Sequence, residues 1–292
     1  GHSEGLQLPG RRGYRERMVE VDPFPHIVQP GALNADEVDL VREHWPADTD
    51  MEPEPGGLSR TWCDLVVNDQ PTNDALLDAN SGFWRNFIAE TLHPIYDSVH
   101  AAFGPLAIGR FGYVPELRLQ QLTLMQSEPS FRVHPAHKHY KFAPDWVFTA
   151  LIQIDDAGNE TRGSRLYTYP EMRSVIDGPP ENQAAFACSQ FPECEPAIDI
   201  PFMPGQMVAI SEGPWGLHGS SPGKGDGPRR IIRCHARIDR QEVIRAYGCE
   251  PGASFTEALE RTAAGEIRTG QTTEALARDI AAPDLWHLQF SQ

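Results

Sequence analysis

Apolar residues recur at helical spacing near the N-terminus, at every second position through the middle of the chain, and at helical spacing again in the tail. Between Asn34 and Trp45, the residues Val38, Val41 and Trp45 fall on one face. Asn34 stands at the capping position, Glu37 at its reciprocal position, and Pro46 closes the run, which predicts a helix. The turn-rich stretch from Gly56 to Asn73 contains Trp62 and Leu65-Val66-Val67 and predicts a short strand between loops. A second helical region is expected from Ser81 to Phe103, on the spacing of Phe83, Phe87, Ile88, Leu92, Ile95, Tyr96 and Val99, interrupted by Pro94 and ended by Gly104.

From residue 117 the period becomes two. Leu117 and Leu119 alternate with polar neighbours, whereas Leu122 and Leu124 take the opposite phase, so a bulge is expected near Gln120-Gln121. Val147 to Asp155, Ser164 to Tyr169, Gln206 to Ser211 and Arg229 to Asp239 continue as strands separated by Gly, Pro and Asn clusters. The succession predicts a mainly β (α+β) protein, a double-stranded β-helix or jelly-roll core with flanking N- and C-terminal helices. The tail from Gly252, with Phe255, Leu259, Ile267, Leu276 and Ile280, predicts an appended helical layer. The organisation expected is a tag remnant and flexible N-terminus over residues 1–20, one core domain over 21–250, and a C-terminal helical extension over 251–292 packed on that domain.

Charge narrows the partners. The chain of 292 residues has 41 Asp and Glu against 25 Lys and Arg, a formal net charge of −16. That balance disfavours a nucleic-acid backbone or an anionic membrane and favours a small-molecule ligand. It leaves room for a local basic pocket, for which the Arg229 to Arg237 segment is a candidate. No apolar run is long enough for a membrane helix, and no signal pattern opens the chain. Cys63, Cys188, Cys194, Cys234 and Cys249 form no CxxC pair, and reduced thiols in a cytoplasmic protein are expected. The oligomeric state is not legible.

Histidine is where chemistry enters. In Phe131-Arg132-Val133-His134-Pro135-Ala136-His137-Lys138-His139-Tyr140, the residues His137 and His139 stand at i and i+2, which on a strand puts both imidazoles on one face. Such a cluster alone fits a metal site or a solvated polar loop. Downstream, Phe202 to Ser211 forms a turn feeding a strand. Trp215-Gly216-Leu217-His218-Gly219 follows with a lone histidine, and Arg229-Arg230-Ile231-Ile232-Arg233 follows with cations. Two ligands close in sequence, a third far downstream and an arginine shortly after it suit an iron(II) centre with open positions and a dicarboxylate needing a counter-charge.

With those residues in place, the chain resembles the 2-oxoglutarate/Fe(II) dioxygenases, in particular the branch similar to prolyl hydroxylases, over roughly residues 23 to 238. Asp22 to Val28 resembles that branch's N-terminal strand. Val147 to Asp156 resembles the strand after the first metal motif, and Arg162-Gly163-Ser164-Arg165-Leu166-Tyr167 its Gly-Gly-x-Leu turn and strand. Pro204 to Ser221 resembles the segment with the distal histidine. The resemblance implies Fe(II) held by His137, His139 and His218, and 2-oxoglutarate bound through its far carboxylate by Arg229, with Arg230 and Arg233 as lesser options. It implies hydroxylation of an unactivated C–H bond of a small molecule, with release of succinate and CO2.

The chain departs from the family at the first motif, usually His-x-Asp or His-x-Glu and here His137-Lys138-His139. A neutral imidazole in the carboxylate position leaves the site one negative charge short. Replacement of an original carboxylate by His139 through engineering stays open. Three other readings also stay open: His134-Pro135-Ala136 as first motif, resembling the halogenating members; a three-histidine cupin-like dioxygenase without 2-oxoglutarate; and a non-catalytic barrel. Gln121, Tyr140 and Trp215 are candidate substrate contacts, although the phase shift leaves open whether Gln121 and Thr123 or Gln120 and Leu122 face the cavity. His44 and His235 read as structural or surface histidines.

Overall fold

The structure, a computed structural model, describes residues 19–20, 22–53, 60–104, 116–128, 146–156, 163–168, 195–212, 216–220 and 227–239. The expected C-terminal helical extension lies outside the described residues, as do most of residues 1–20. No helix among the described residues is long and apolar enough to cross a membrane.

Strand β1 (His26–Gln29) is followed by helix α1 (Ala35–Glu43). The predicted capping box closes that helix: the Asn34 side chain accepts from Glu37 N at 3.0 Å, and the Glu37 carboxylate accepts from Asn34 N at 2.7 Å. Its Val38 and Val41 are buried as the spacing predicts. The short β2 (Glu52–Pro53) and β4 (Gln70–Pro71) both pair with β3 (Arg60–Val67), a longer strand than expected because the polar positions of its alternation occupy a second, half-buried face.

Helix α2 (Asp74–Phe87) starts before the predicted position, capped by the Asn73 side chain on Leu76 N. Its regular dihedrals break from Ala79 to Gly82, with positive φ from Asn80 through Gly82, so Ser81 marks a re-entry rather than a start. A π-helical turn (Ile88–Leu92) runs through helical dihedrals into α3 (His93–Ala102), with Pro94, which has no N–H to donate, in the first turn after the wider π turn.

The strands then follow as β5 (Arg118–Ser127), β6 (Trp146–Asp156), β7 (Ser164–Thr168), β8 (Glu195–Ile200), β9 (Met207–Ser211), β10 (His218–Ser220) and β11 (Arg229–Arg237). Among the described residues they form two antiparallel sheets. The large one has the order β1-β9-β6-β11-β5-β3-β2 with β4 beside β3, and the small one has the order β10-β7-β8. From β6 onward the chain passes between them, β7 and β8 in the small sheet, β9 in the large, β10 in the small and β11 in the large. The predicted bulge is present. His235 opposes Gln121 but Ala236 opposes Leu119, which leaves Gln120 as the extra residue and brings Leu119, Leu122 and Leu124 to the same core.

The two faces of the large sheet differ. One packs Leu122, Leu124, Phe148, Ala150, Ile152, Ile232 and Cys234 against Trp84, Phe87, Tyr96 and Val99 of the helices, forming the main core. The other carries a smaller cluster of Met125, Ile231 and Phe202, with Trp62 and Leu151 against it. Phe202 comes from the connection between β8 of the small sheet and β9 of the large one, so this second face receives chain from the small sheet.

Candidate functional site

His218 opens β10, opposite Leu166 of β7. It is buried, and its Nδ1 lies 2.8 Å from the carbonyl oxygen of Gly216. A carbonyl only accepts, so Nδ1 carries a proton, which in the neutral imidazole leaves the lone pair on Nε2. That is the tautomer and support a metal-binding histidine uses. The Trp215-Gly216-Leu217-His218 sequence accounts for it: Gly216 supplies the carbonyl, and Leu217, fully buried, accepts from Tyr167 N at 3.1 Å and docks the turn on β7.

Arg229 opens β11 opposite Ser127 and Asp156. It is only 5% exposed, and its guanidinium lies over the Phe202 ring at 5.5 Å. Opposed residues in an antiparallel ladder share a face, so Arg229, Ile231, Arg233 and His235 look to the second face, with Ser127, Met125, Thr123 and Gln121 opposite them. Arg230 takes the other. Its Nε donates to Gln126 Oε1 at 2.9 Å, its Nη1 lies 3.6 Å from Asp155, and its guanidinium covers Trp45 at 5.6 Å. The phase left open for β5 is thereby fixed: Gln121 and Thr123 share the face of Arg229, and Leu122 belongs to the helix-side core. His134, His137, His139, Tyr140 and Trp215 lie outside the described residues. Among the described residues no group of three His, Cys, Asp or Glu side chains is placed to hold a metal, and His218 is the only one of the three expected ligands among them.

Two buried polar atoms bear on what the site holds. Gln153, fully buried, directly opposes Ile231, the residue sharing Arg229's face. Its Oε1 accepts from Met203 N at 2.7 Å and from Gln206 Nε2 at 3.2 Å, while its own Nε2 has no partner among the described residues. Ser164 of β7 opposes Ser220 on one side and Ile200 on the other, two residues before Phe202. It is buried, shares the face of His218, and its hydroxyl likewise has no partner among the described residues. Buried donors left unpaired cost free energy. A guanidinium, an amide N–H and a hydroxyl are donors of the kind a carboxylate accepts from, so these residue types fit an anionic cofactor end.

Sequence reasoning missed several members of this face. Gln153 is a lone polar residue in the apolar run Leu151-Ile152-Gln153-Ile154, a visible signal that went unweighted. Asp64 accepts from Gln121 Nε2 at 2.9 Å and from Thr123 Oγ1 at 2.6 Å, and period two around Trp62 and Asp64 would have placed it there. His235 is buried, its Nδ1 2.8 Å from Thr149 Oγ1, and that hydroxyl also bonds the buried Glu212. Nothing in the sequence joins those three positions.

No family model and no curated protein matches the chain. Solved structures do. One is an oxidoreductase of the 2OG-Fe(II) oxygenase family from Burkholderia pseudomallei, 14% identical, covering 73% of this chain and 84% of that one at a TM-score of 0.44. Another is the non-heme alpha ketoglutarate dependent carbocyclase SnoK from nogalamycin biosynthesis, 14% identical, covering 74% and 80% at 0.48. A third is HygX from Streptomyces hygroscopicus, solved with nickel, 2-oxoglutarate and hygromycin B, 16% identical, covering 73% and 82% at 0.44. Likenesses of this degree carry no argument about the chemistry, which is read from this chain's own residues.

Proposed function

We propose that the chain is an Fe(II)- and 2-oxoglutarate-dependent oxygenase that hydroxylates an unactivated C–H bond of a small molecule, built on a double-stranded β-helix. The passage of the chain between two sheets supports that architecture. His134, His137 and His139 lie within 129–145, outside the described residues. The observations that carry the proposal are a buried His218 whose Nδ1 is held by Gly216, a buried Arg229, and buried donors on Gln153 and Ser164 without partners among the described residues.

In this reading His137, His139 and His218 would hold the iron, and Arg229, with Gln153 and Ser164 as further donors, would hold the far carboxylate of 2-oxoglutarate. With both groups bound, dioxygen would be the oxidant: 2-oxoglutarate would lose CO2 and take one oxygen atom to become succinate, and the other oxygen atom would pass to the substrate. The protein's own part is to fix the imidazole tautomer, to neutralise the carboxylate, and to shield the site behind Phe202, Ile231 and Met125. The test is succinate formation from 2-oxoglutarate by purified protein with Fe(II) and oxygen. Succinate formed in step with oxygen consumed is the expected result. Oxygen uptake on other substrates without succinate would favour the three-histidine dioxygenase instead.

A further inference from the structure

Two glutamines hold the connection between β8 and β9. Gln153, in β6, donates from its backbone N–H to the Gln206 carbonyl at 2.9 Å and accepts at its own carbonyl from Gly205 N at 2.7 Å. Met203 to Gln206 make a turn, closed by the Gln206 N–H on the Met203 carbonyl at 2.9 Å, with Pro204 and Gly205 at its centre and a φ of +79° at Gly205, where turns of this kind favour glycine. Side chains complete the hold. Gln153 Oε1 accepts from Met203 N at 2.7 Å and from Gln206 Nε2 at 3.2 Å, and Gln206 Nε2 also donates to the Pro201 carbonyl at 2.8 Å. The two glutamines thereby fasten the residues on either side of Phe202, over whose ring the Arg229 guanidinium lies at 5.5 Å.

Backbone groups of fixed polarity decide which way both amides point. A peptide N–H only donates, so the Gln153 atom on Met203 is the oxygen; a carbonyl only accepts, so the Gln206 atom on Pro201 is the nitrogen. What remains of the Gln153 amide is Nε2 with its two N–H bonds. It is fully buried and has no partner among the described residues. Turning the amide over would set its N–H groups against those of Met203 and Gln206, which costs more than it relieves. Gln153 also opposes Ile231, on the face of β11 that carries Arg229.

We propose that Gln206 is a positioning residue for anion binding, holding Oε1 of Gln153 so that Nε2 is presented to a ligand carboxylate. An amide N–H is a neutral donor, which a carboxylate accepts from without a second buried charge. Naming the ligand as 2-oxoglutarate rests on the oxygenase reading; the direction of the amide is set by the protein alone. The two glutamines have separable parts. A carboxylate at position 153 would still accept from Met203 and Gln206, but it would turn an acceptor oxygen toward the ligand. An apolar residue at position 206 would leave the Gln153 donor in place and loosen its direction.

The test is equilibrium binding of 2-oxoglutarate to the purified full chain, with Zn(II) replacing iron so that no turnover occurs, read by ligand-observed NMR with the thermal midpoint of each protein beside it. Gln153→Glu is expected to weaken binding at least about tenfold while the fold is kept, and Gln206→Met to weaken it about threefold. A purely structural pair predicts no loss for Gln153→Glu, because both bonds to its oxygen persist. Either folded variant binding as tightly as wild type overturns the proposal. Where a variant does not fold, wild-type protein labelled with 15N-glutamine decides: the Gln153 amide protons, assigned through the Met203 N–H, are expected to shift when 2-oxoglutarate is added, and unmoved signals overturn the proposal. Succinate formation by the iron-loaded wild type separates the two readings. The expected losses without succinate keep the positioning role and remove the oxygenase, succinate with an indifferent Gln153→Glu variant does the reverse, and wild type that binds no 2-oxoglutarate overturns both.

Discussion

Arg229 is the side chain on which the proposed cofactor binding turns. Because it is buried on the face it shares with Ile231, a change to Leu removes the counter-charge while keeping much of the packing on Phe202. Arg229→Leu should raise the 2-oxoglutarate concentration needed for half-maximal succinate formation by at least about tenfold, corresponding to the loss of one charge-assisted contact. Arg230→Leu should leave that concentration unchanged, because Gln126, Asp155 and Trp45 hold Arg230 on the opposite face. Equal effects of the two changes would show that Arg229 does not bind the cofactor. The thiols give a second check. Burial pushes both Cys63 and Cys234 above the ordinary thiol range, and the reactive form is the thiolate. Iodoacetamide at neutral pH should therefore leave both unmodified in the native protein and alkylate both after unfolding. Rapid labelling of either in the native state would contradict their placement in the core.

The strands that carry the site depend on close backbone packing at Gly163, just ahead of β7. A Cβ there would sit 1.7 Å from the carbonyl oxygen of Ile200 and 2.9 Å from the carbonyl carbon of Pro201, where no flexible side chain can give way. Gly163→Ala should cost about 3 kcal/mol or more, read as a lowered urea midpoint, since accommodating it means separating β7 from β8. The cap of α1 makes a milder counterpart: Asn34→Ala should cost about 1 kcal/mol, because one orphan donor at the helix start loses its acceptor. A Gly163→Ala change no more costly than the Asn34 change would show that β7 and β8 are less closely packed than described.

The elements were legible to very different degrees. Helix α1 was readable to its cap because Asn34, Glu37 and the apolar face all agree, and the bulge at Gln120 was readable because two leucine pairs fall out of phase. Strand β8 was not, since Glu195-Pro196-Ala197-Ile198-Asp199-Ile200 mixes a proline and charges into a strand whose outward side carries the Arg165–Asp199 ion pair. The break inside α2 was hidden as well, because Asn80 and Ser81 adopt positive φ without a glycine to announce it until Gly82.

Across the fold, what the chain's order encodes is which residues carry chemistry, and what the two sheets add is which of them look the same way. His218 and Arg229 were singled out from spacing. Gln153 and Asp64 left a local signal in the pattern that was not weighed, whereas Ser164 and the Thr149, Glu212 and His235 group become meaningful only through partners more than twenty residues away brought alongside by strand register. The central claim is that His218 is an iron ligand, and it is tested most directly by metal binding. Metal-free wild-type protein and its His218→Ala variant would be titrated with Fe(II) under anaerobic conditions, with circular dichroism confirming that both are folded. Wild-type protein is predicted to take up one equivalent of iron, and the variant to bind it at least about tenfold more weakly. Equal iron uptake by the two proteins would contradict the account at its root.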